Sequence, residues 1–110
     1  MAENLKIPIS PNQTGLIVIA HADDLALFCG GAALALLDAG WNLHVVRVTD
    51  DSWDSWGLSE TETIDRNRKE FIQALEILGI AHVHELSLPT DRLGEYSEVE
   101  LRNQLVEIIR

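Results

Sequence analysis

The sequence predicts an α/β fold, a Rossmann-like parallel sheet with flanking helices. Three observations carry this. Short apolar runs rich in β-branched residues alternate with longer segments of helical periodicity. The helical segments are bounded by capping serines or terminal glycines. The resulting order is β-α-β-α-β-α, which implies right-handed crossovers and parallel strands with helices packed on the sheet faces.

Each element has its own signal. Gly15-Leu-Ile-Val-Ile-Ala20 is wholly apolar, the pattern of a strand buried on both faces. His21-Ala-Asp-Asp24 follows, and then the longest apolar stretch, residues 25–37. A membrane span needs about 20 such residues, so this reads as a buried helix ending near Asp38, with Gly40 as its stop. Leu43-His-Val-Val-Arg-Val48 reads as a second strand, made less central by His44 and Arg47. Residues 49–57 are polar and aromatic and read as a loop. Ser59 with Glu62 forms a capping box for a second helix, whose apolar stripe is Phe71, Ala74, Leu75 and Leu78 and whose end is Gly79. Residues 83–88 read as a third strand and 89–94 as a turn. Ser97 caps a third helix over 98–110, with Leu101, Leu105, Ile108 and Ile109 inward.

Residues 1–14 form an N-terminal extension and 15–110 the domain. The third helix has no stop signal before Arg110, and a doubly wound sheet usually has more than three strands. The sheet is therefore expected to be incomplete at the C-terminus. The first strand then presents residues 17–19 as an apolar edge, and self-association through that edge is expected.

Composition narrows the function. Of 110 residues, 46% are hydrophobic, enough for a core, and the net charge is −10. A chain this acidic repels phosphate backbones and anionic lipid, which argues against nucleic-acid partners and a polybasic membrane anchor. The single cysteine, Cys29, cannot form an internal disulfide, so a reducing, cytoplasmic compartment fits best. Residues 1–11 lack a signal-peptide pattern. A G-x-G-x-x-G fingerprint and a Walker-type lysine are both missing, which leaves a nucleotide site unsupported.

In open α/β sheets, ligands bind at the carboxyl ends of the strands. His21, Asp23 and Asp24 sit there, at the end of the first strand. An imidazole and two carboxylates make a half-site for Zn²⁺ or another divalent metal, with one carboxylate left over as a general base. The alternative is structural: either aspartate serves as a helix N-cap, favoured by the helix dipole. Cys29, with no adjacent base, reads as a small buried hydrophobe, and Gly30-Gly31 as a close-packing site. Trp53 and Trp56 suit a sugar platform or a cover for the sheet edge. Asp50, Asp51 and Asp54 read as a solvated cluster.

The run Ala20-His-Ala-Asp-Asp-Leu-Ala-Leu-Phe-Cys-Gly-Gly31 resembles the A-H-P-D-D-E…G-G signature of the LmbE-like (PIG-L) N-acetylglucosaminyl deacetylases. The likeness continues through Thr49-Asp50, through Glu70 with Ala74 and Leu78-Gly79, and through Leu86-Ser-Leu-Pro-Thr-Asp91. It implies that His21 and Asp24 are zinc ligands and that Asp23 is the general base toward a zinc-bound water. The reaction implied is removal of the acetyl group from an N-acetylated amino sugar conjugate, releasing acetate and a free amine. It further implies sugar contacts from Asp91 and from Arg66 or Arg68. The chain departs from the pattern at Ala22, Leu25, Asp51, Asn67 and Thr90.

The family's third zinc ligand is a histidine in its C-terminal half, beyond this chain. His84 lies four residues before the end of its strand, roughly 13 Å from the carboxyl edge at ~3.3 Å per residue. His44 and His82 are no better placed, so all three read as structural or surface histidines. The 110-residue chain is accordingly expected to be inactive alone. The competing reading is a catalytically incomplete fragment or degenerate binding module of the same fold.

Overall fold

The computed structural model describes residues 13–53, 57–90 and 93–110. Asp54, Trp56, Asp91 and residues 1–12 of the extension lie outside them. Strand β1 (Thr14–Ile19) leads into a short helix α1 (Ala22–Asp24), a π-helical turn (Leu25–Cys29) and α2 (Gly30–Asp38). Then come β2 (Asn42–Thr49), α3 (Glu60–Leu78), β3 (His82–Leu88), a 3₁₀ turn (Leu93–Glu95) and α4 (Glu98–Ile109). The strands form one sheet in the order β1-β2-β3, with both pairs parallel. The sequence-based fold class therefore holds.

Local chemistry sets the helix ends. Ser59 Oγ accepts from the Glu62 N–H at 3.1 Å and Ser97 Oγ from the Glu100 N–H at 3.3 Å. Gly79 closes α3 in the left-handed conformation, φ 82°, where a β-carbon would be strained.

Packing divides the molecule into layers. On one face Ile19, Leu43 and Val45 of the strands meet Leu25, Ala33, Phe71 and Leu75 from the α1–α2 segment and α3. On the other, Val46, Val48 and Leu88 meet Leu101, Leu105 and Ile108 of α4. Each fully buried side chain of this size contributes about 1.5–3 kcal/mol, so the two clusters account for the sandwich.

Three sequence-based expectations need correction. β1 is not buried on both faces: Ile17 and Ile19 pack inward, while Val18 is 49% exposed and Leu16 is exposed beside it. Of the described elements, the end of α4 borders that second face, lining a groove with Leu16 and leaving Val18 exposed. β2 is not peripheral: it is the central strand, with Val45, Val46 and Arg47 all but inaccessible. Arg47 is tolerated there because two carboxylates meet its guanidinium. The apolar segment is not one buried helix either. Helical structure starts at Ala22, and the π-helical turn rotates Leu27 and Phe28 outward, to 73% and 79% exposure. Cys29 is half-buried and packs against the core.

Candidate active site

The strand register brings three loops together at the carboxyl edge: residues 20–24 after β1, 50–53 after β2, and 89–90 after β3. The first carries the candidate residues. His21 is extended (φ −124°, ψ 157°) and acts as the N-cap of α1. Asp24 stands at the third helical position, and its Oδ2 accepts from the His21 N–H at 3.0 Å. Its own N–H donates to the His21 carbonyl at 3.2 Å. Part of the structural reading of this motif is thus realised: Asp24 satisfies an orphan amide at the helix start, where the dipole favours a carboxylate.

The same geometry leaves side-chain donors in reach of each other. His21 Nδ1 and Asp24 Oδ2 are 3.8 Å apart, and both side chains are about one-third exposed. Two ligands at about 2.0–2.1 Å on a tetrahedral ion stand about 3.4 Å apart, so a small side-chain adjustment fits this pair to a divalent cation. Imidazole with carboxylate is the donor set that such an ion takes. Asp23, between them, is exposed. Among the described residues no group of three histidine, cysteine or acidic side chains is arranged to hold a metal ion. The pair would fill half of a tetrahedral coordination shell.

The loop after β2 holds this turn from behind. Thr49 donates to the Ala20 carbonyl twice, from Oγ1 at 2.7 Å and from its N–H at 3.1 Å. Asp51 Oδ2 accepts from the Ala22 N–H at 3.0 Å and from Arg47 Nη1 at 2.9 Å. Arg47 Nη2 donates to Glu85 Oε1 at 2.8 Å, and Arg68 pairs with Glu85 Oε2 at 3.2 Å. The Arg47 guanidinium lies 5.0 Å from the Phe71 ring centre, a favourable cation–π arrangement. Asp50 serves the neighbouring loop: its Oδ1 accepts from the Ser52 N–H, from the Thr90 hydroxyl and, at 3.4 Å, from the Thr90 N–H.

The expected solvated aspartate cluster is therefore overturned for Asp51, which is 1% exposed, and Asp50 is half-buried in a hydrogen-bonded turn. Trp53 is 58% exposed at the same edge. Arg66 and Arg68 lie on α3, paired with Glu70 at 3.5 Å and Glu85 respectively. Neither is joined to the His21–Asp24 turn by a direct bond. Sequence reasoning missed Arg47, Asp51, Glu85 and Asn67, whose Nδ2 donates to the Asp51 carbonyl at 3.2 Å. A signal existed: a cation inside Val45-Val46-Arg47-Val48 demands buried anions.

The other three histidines gather away from this edge. His44 Nδ1 and His84 Nε2 are 3.1 Å apart, and the His44 ring stacks on His82 with centres 4.3 Å apart. Partial burial first, and then the charges His82 and His84 would carry, lower the His44 pKa below its ordinary value. A groove of about 420 Å³ lies at this far end, lined by Thr14, Leu16, His44, Ile108, Ile109 and Arg110. The candidate residues His21, Asp23 and Asp24 lie at the opposite end of the strands from that groove.

Comparisons with known proteins bear on the carboxyl edge. The family model described as PIG-L: GlcNAc-PI de-N-acetylase matches residues 16–110. The chain is 30% identical to a diacetylchitobiose deacetylase from Thermococcus kodakarensis, over 94% of this chain and 39% of that protein. The structure of an N,N'-diacetylchitobiose deacetylase from Pyrococcus horikoshii, in complex with its inhibitor MPG, superimposes with a TM-score of 0.81 at 27% identity, covering 89% of this chain and 37% of that one. GalB, the 4-carboxy-2-hydroxymuconate hydratase from Pseudomonas putida, shares the fold with a TM-score of 0.73 at 23% identity, over 87% of this chain and 42% of its own. The chain spans about two fifths of the length of the relatives it matches. Among the described residues no helix is long and apolar enough to cross a membrane.

Proposed function

The chain belongs to the PIG-L family, and from that premise we propose that it is the part of a metal-dependent sugar deacetylase that carries half the metal site and the general base. The observation that carries this reading is the juxtaposition of His21 and Asp24 across 3.8 Å, with exposed Asp23 between them, on a turn at the carboxyl edge. A divalent cation held by His21 and Asp24, Zn²⁺ foremost, supplies Lewis acidity at an amide carbonyl and makes water a better nucleophile. Asp23 takes the proton from the attacking water. The water oxygen bonds to the acetyl carbon, the amide C–N bond breaks, Asp23 passes its proton to the departing amine, and the products are acetate and a free amino sugar. Asp91 and one of Arg66 or Arg68 contact the sugar, and exposed Trp53 offers a ring face to it. The substrate class is an N-acetylglucosamine-type conjugate, in keeping with the deacetylases named above, and the compartment is the cytoplasm.

The test is acetate release from N-acetylglucosamine and N,N'-diacetylchitobiose by the gene product purified from its source. Asp23→Ala is expected to keep metal and lose about 10²–10⁴-fold in rate, the usual worth of a positioned base. His21→Ala is expected to lose both. Undiminished acetate release in either variant contradicts the mechanism.

A second reading is a binding module of the same fold without hydrolytic activity. It is favoured by one observation: the described residues assemble two donors and not three. Acetate release by the 110-residue chain alone would exclude it.

A further inference from the structure

We propose that Asp51, anchored by Arg47, is the positioning residue that aims the His21–Asp24 turn. This rests on the function proposed above and concerns how the same site is held in shape. Both peptide groups flanking His21 are gripped from the end of β2. Thr49 holds the carbonyl before it, the Ala20 oxygen, by two donations of 2.7 and 3.1 Å. Asp51 holds the amide after it, the Ala22 N–H, at 3.0 Å. With both planes fixed, the rotation of the His21 backbone is set, and with it the direction of the imidazole toward Asp24.

Three features argue that Asp51 is placed for this task and is not an incidental partner of Arg47. Its backbone has φ 59°, a left-handed conformation that favours glycine, with asparagine and aspartate the tolerated exceptions. Asn67 grips its carbonyl at 3.2 Å and helps hold that conformation. Finally, one oxygen, Oδ2, accepts from the turn and from the guanidinium together, so the ion pair tensions the contact to Ala22. Arg47 is in turn held on its far side by Glu85, itself paired with Arg68. The line of alternating charges runs from α3 and β3 through the sheet to the amide beside His21. Asp50, the adjacent residue, bonds the loop on the other side and has no part in this line.

The experiment compares the full 110-residue chain with Asp51→Asn, Asp51→Gly and the double variant Arg47→Met with Asp51→Gly. The double variant removes both charges of the buried pair while Glu85 keeps Arg68, so it is expected to avoid the penalty of an uncompensated buried charge that the single change carries. Two readouts are taken: Co²⁺ affinity by titration, and the ¹⁵N relaxation of the amides of residues 21–24. Lost supporting contacts weaken metal affinity by about 10–100-fold. Folded Asp51→Gly and the double variant are expected to show a loss of that size and increased motion at residues 21–24 alone, while Asp51→Asn, which keeps an acceptor oxygen, loses less. A folded variant without Asp51 that binds Co²⁺ as tightly as the unaltered chain, with unchanged relaxation at 21–24, overturns the proposal. Co²⁺ affinity indifferent to His21→Ala would sink the function proposed above instead. The relaxation data then judge Asp51 by themselves.

Discussion

The two ends of the same three strands carry two clusters of ionisable groups, and they are built on opposite rules. At the carboxyl edge charges of opposite sign alternate: Asp51, Arg47, Glu85 and Arg68 are joined by contacts of 2.8–3.2 Å, and the line ends on a backbone amide beside His21. Toward the amino edge three like groups, His44, His82 and His84, stack on one another beside apolar Leu16 and Ile108. The first arrangement fixes a loop and leaves His21, Asp23 and Asp24 open to solvent. The second favours a neutral imidazole at His44, where burial and the neighbouring rings lower the pKa. Having histidines close together is therefore not what marks the candidate site. What marks it is strand polarity, which gathers loops and helix starts at one edge only.

The largest expected effect comes from breaking the alternating line. Asp51→Ala leaves Arg47 buried with one carboxylate, and disrupting a buried pair costs about 3–5 kcal/mol. With Glu85 still in place the lower end, about 3 kcal/mol, is expected in urea unfolding. His82→Ala, on an exposed residue at the other end, is expected to cost under about 1 kcal/mol. Equal losses would erase the contrast between the two ends.

Metal affinity sharpens it further. His21→Ala is expected to weaken Co²⁺ binding by more than the about 10–100-fold that a lost supporting contact costs, and His44→Ala to leave it unchanged. Titration calorimetry on the two variants separates them, and a loss confined to His44→Ala would reverse the assignment.

A third effect concerns the exposed apolar residues of β1. Leu16 and Val18 are exposed on a strand with a single hydrogen-bonded neighbour among the described residues. Such edges pair with other chains unless charged. Sedimentation is expected to show dimers or larger species, and Leu16→Lys with Val18→Lys to shift them to monomer. A monodisperse unaltered monomer would contradict this.

The smallest effect is the pH response of the histidine stack. The pKa of His44 is lower folded than unfolded, so the unfolded chain binds the extra proton more readily. Its contribution is fully present above the ordinary histidine range. It is lost as pH falls through about 6.5 toward the lowered folded value. A small fall in Tm between pH 7.5 and 5.5 is expected, flattened in His44→Gln. A fall of the same size in that variant would assign the response to other groups.

Much of this was legible in the sequence, and the gaps have physical causes. Alternating β-branched runs and capped helices specify element type and order, because those patterns depend on local geometry. The motif residues 20–31 point to the carboxyl edge of the sheet as the candidate site. Position within the sheet was less readable. His44 and Arg47 suggest a less central β2; the buried cation signals that anions must meet it, but that Asp51 and Glu85 do so is set by the tertiary fold. The all-apolar β1 reads as buried on both faces, but composition does not say which neighbours cover a strand. The π-helical turn that exposes Phe28 inserts a shift of phase that apolar content alone does not reveal.

The most direct test of the account is where a metal ion lands. Co²⁺ titrated into the ¹⁵N-labelled chain perturbs amides by distance from the ion. The strongest perturbation is expected at residues 21–24, with weaker effects at Asp51 and little at His44, His82 and His84. Perturbations centred on the three stacked histidines, with residues 21–24 unmoved, would contradict it.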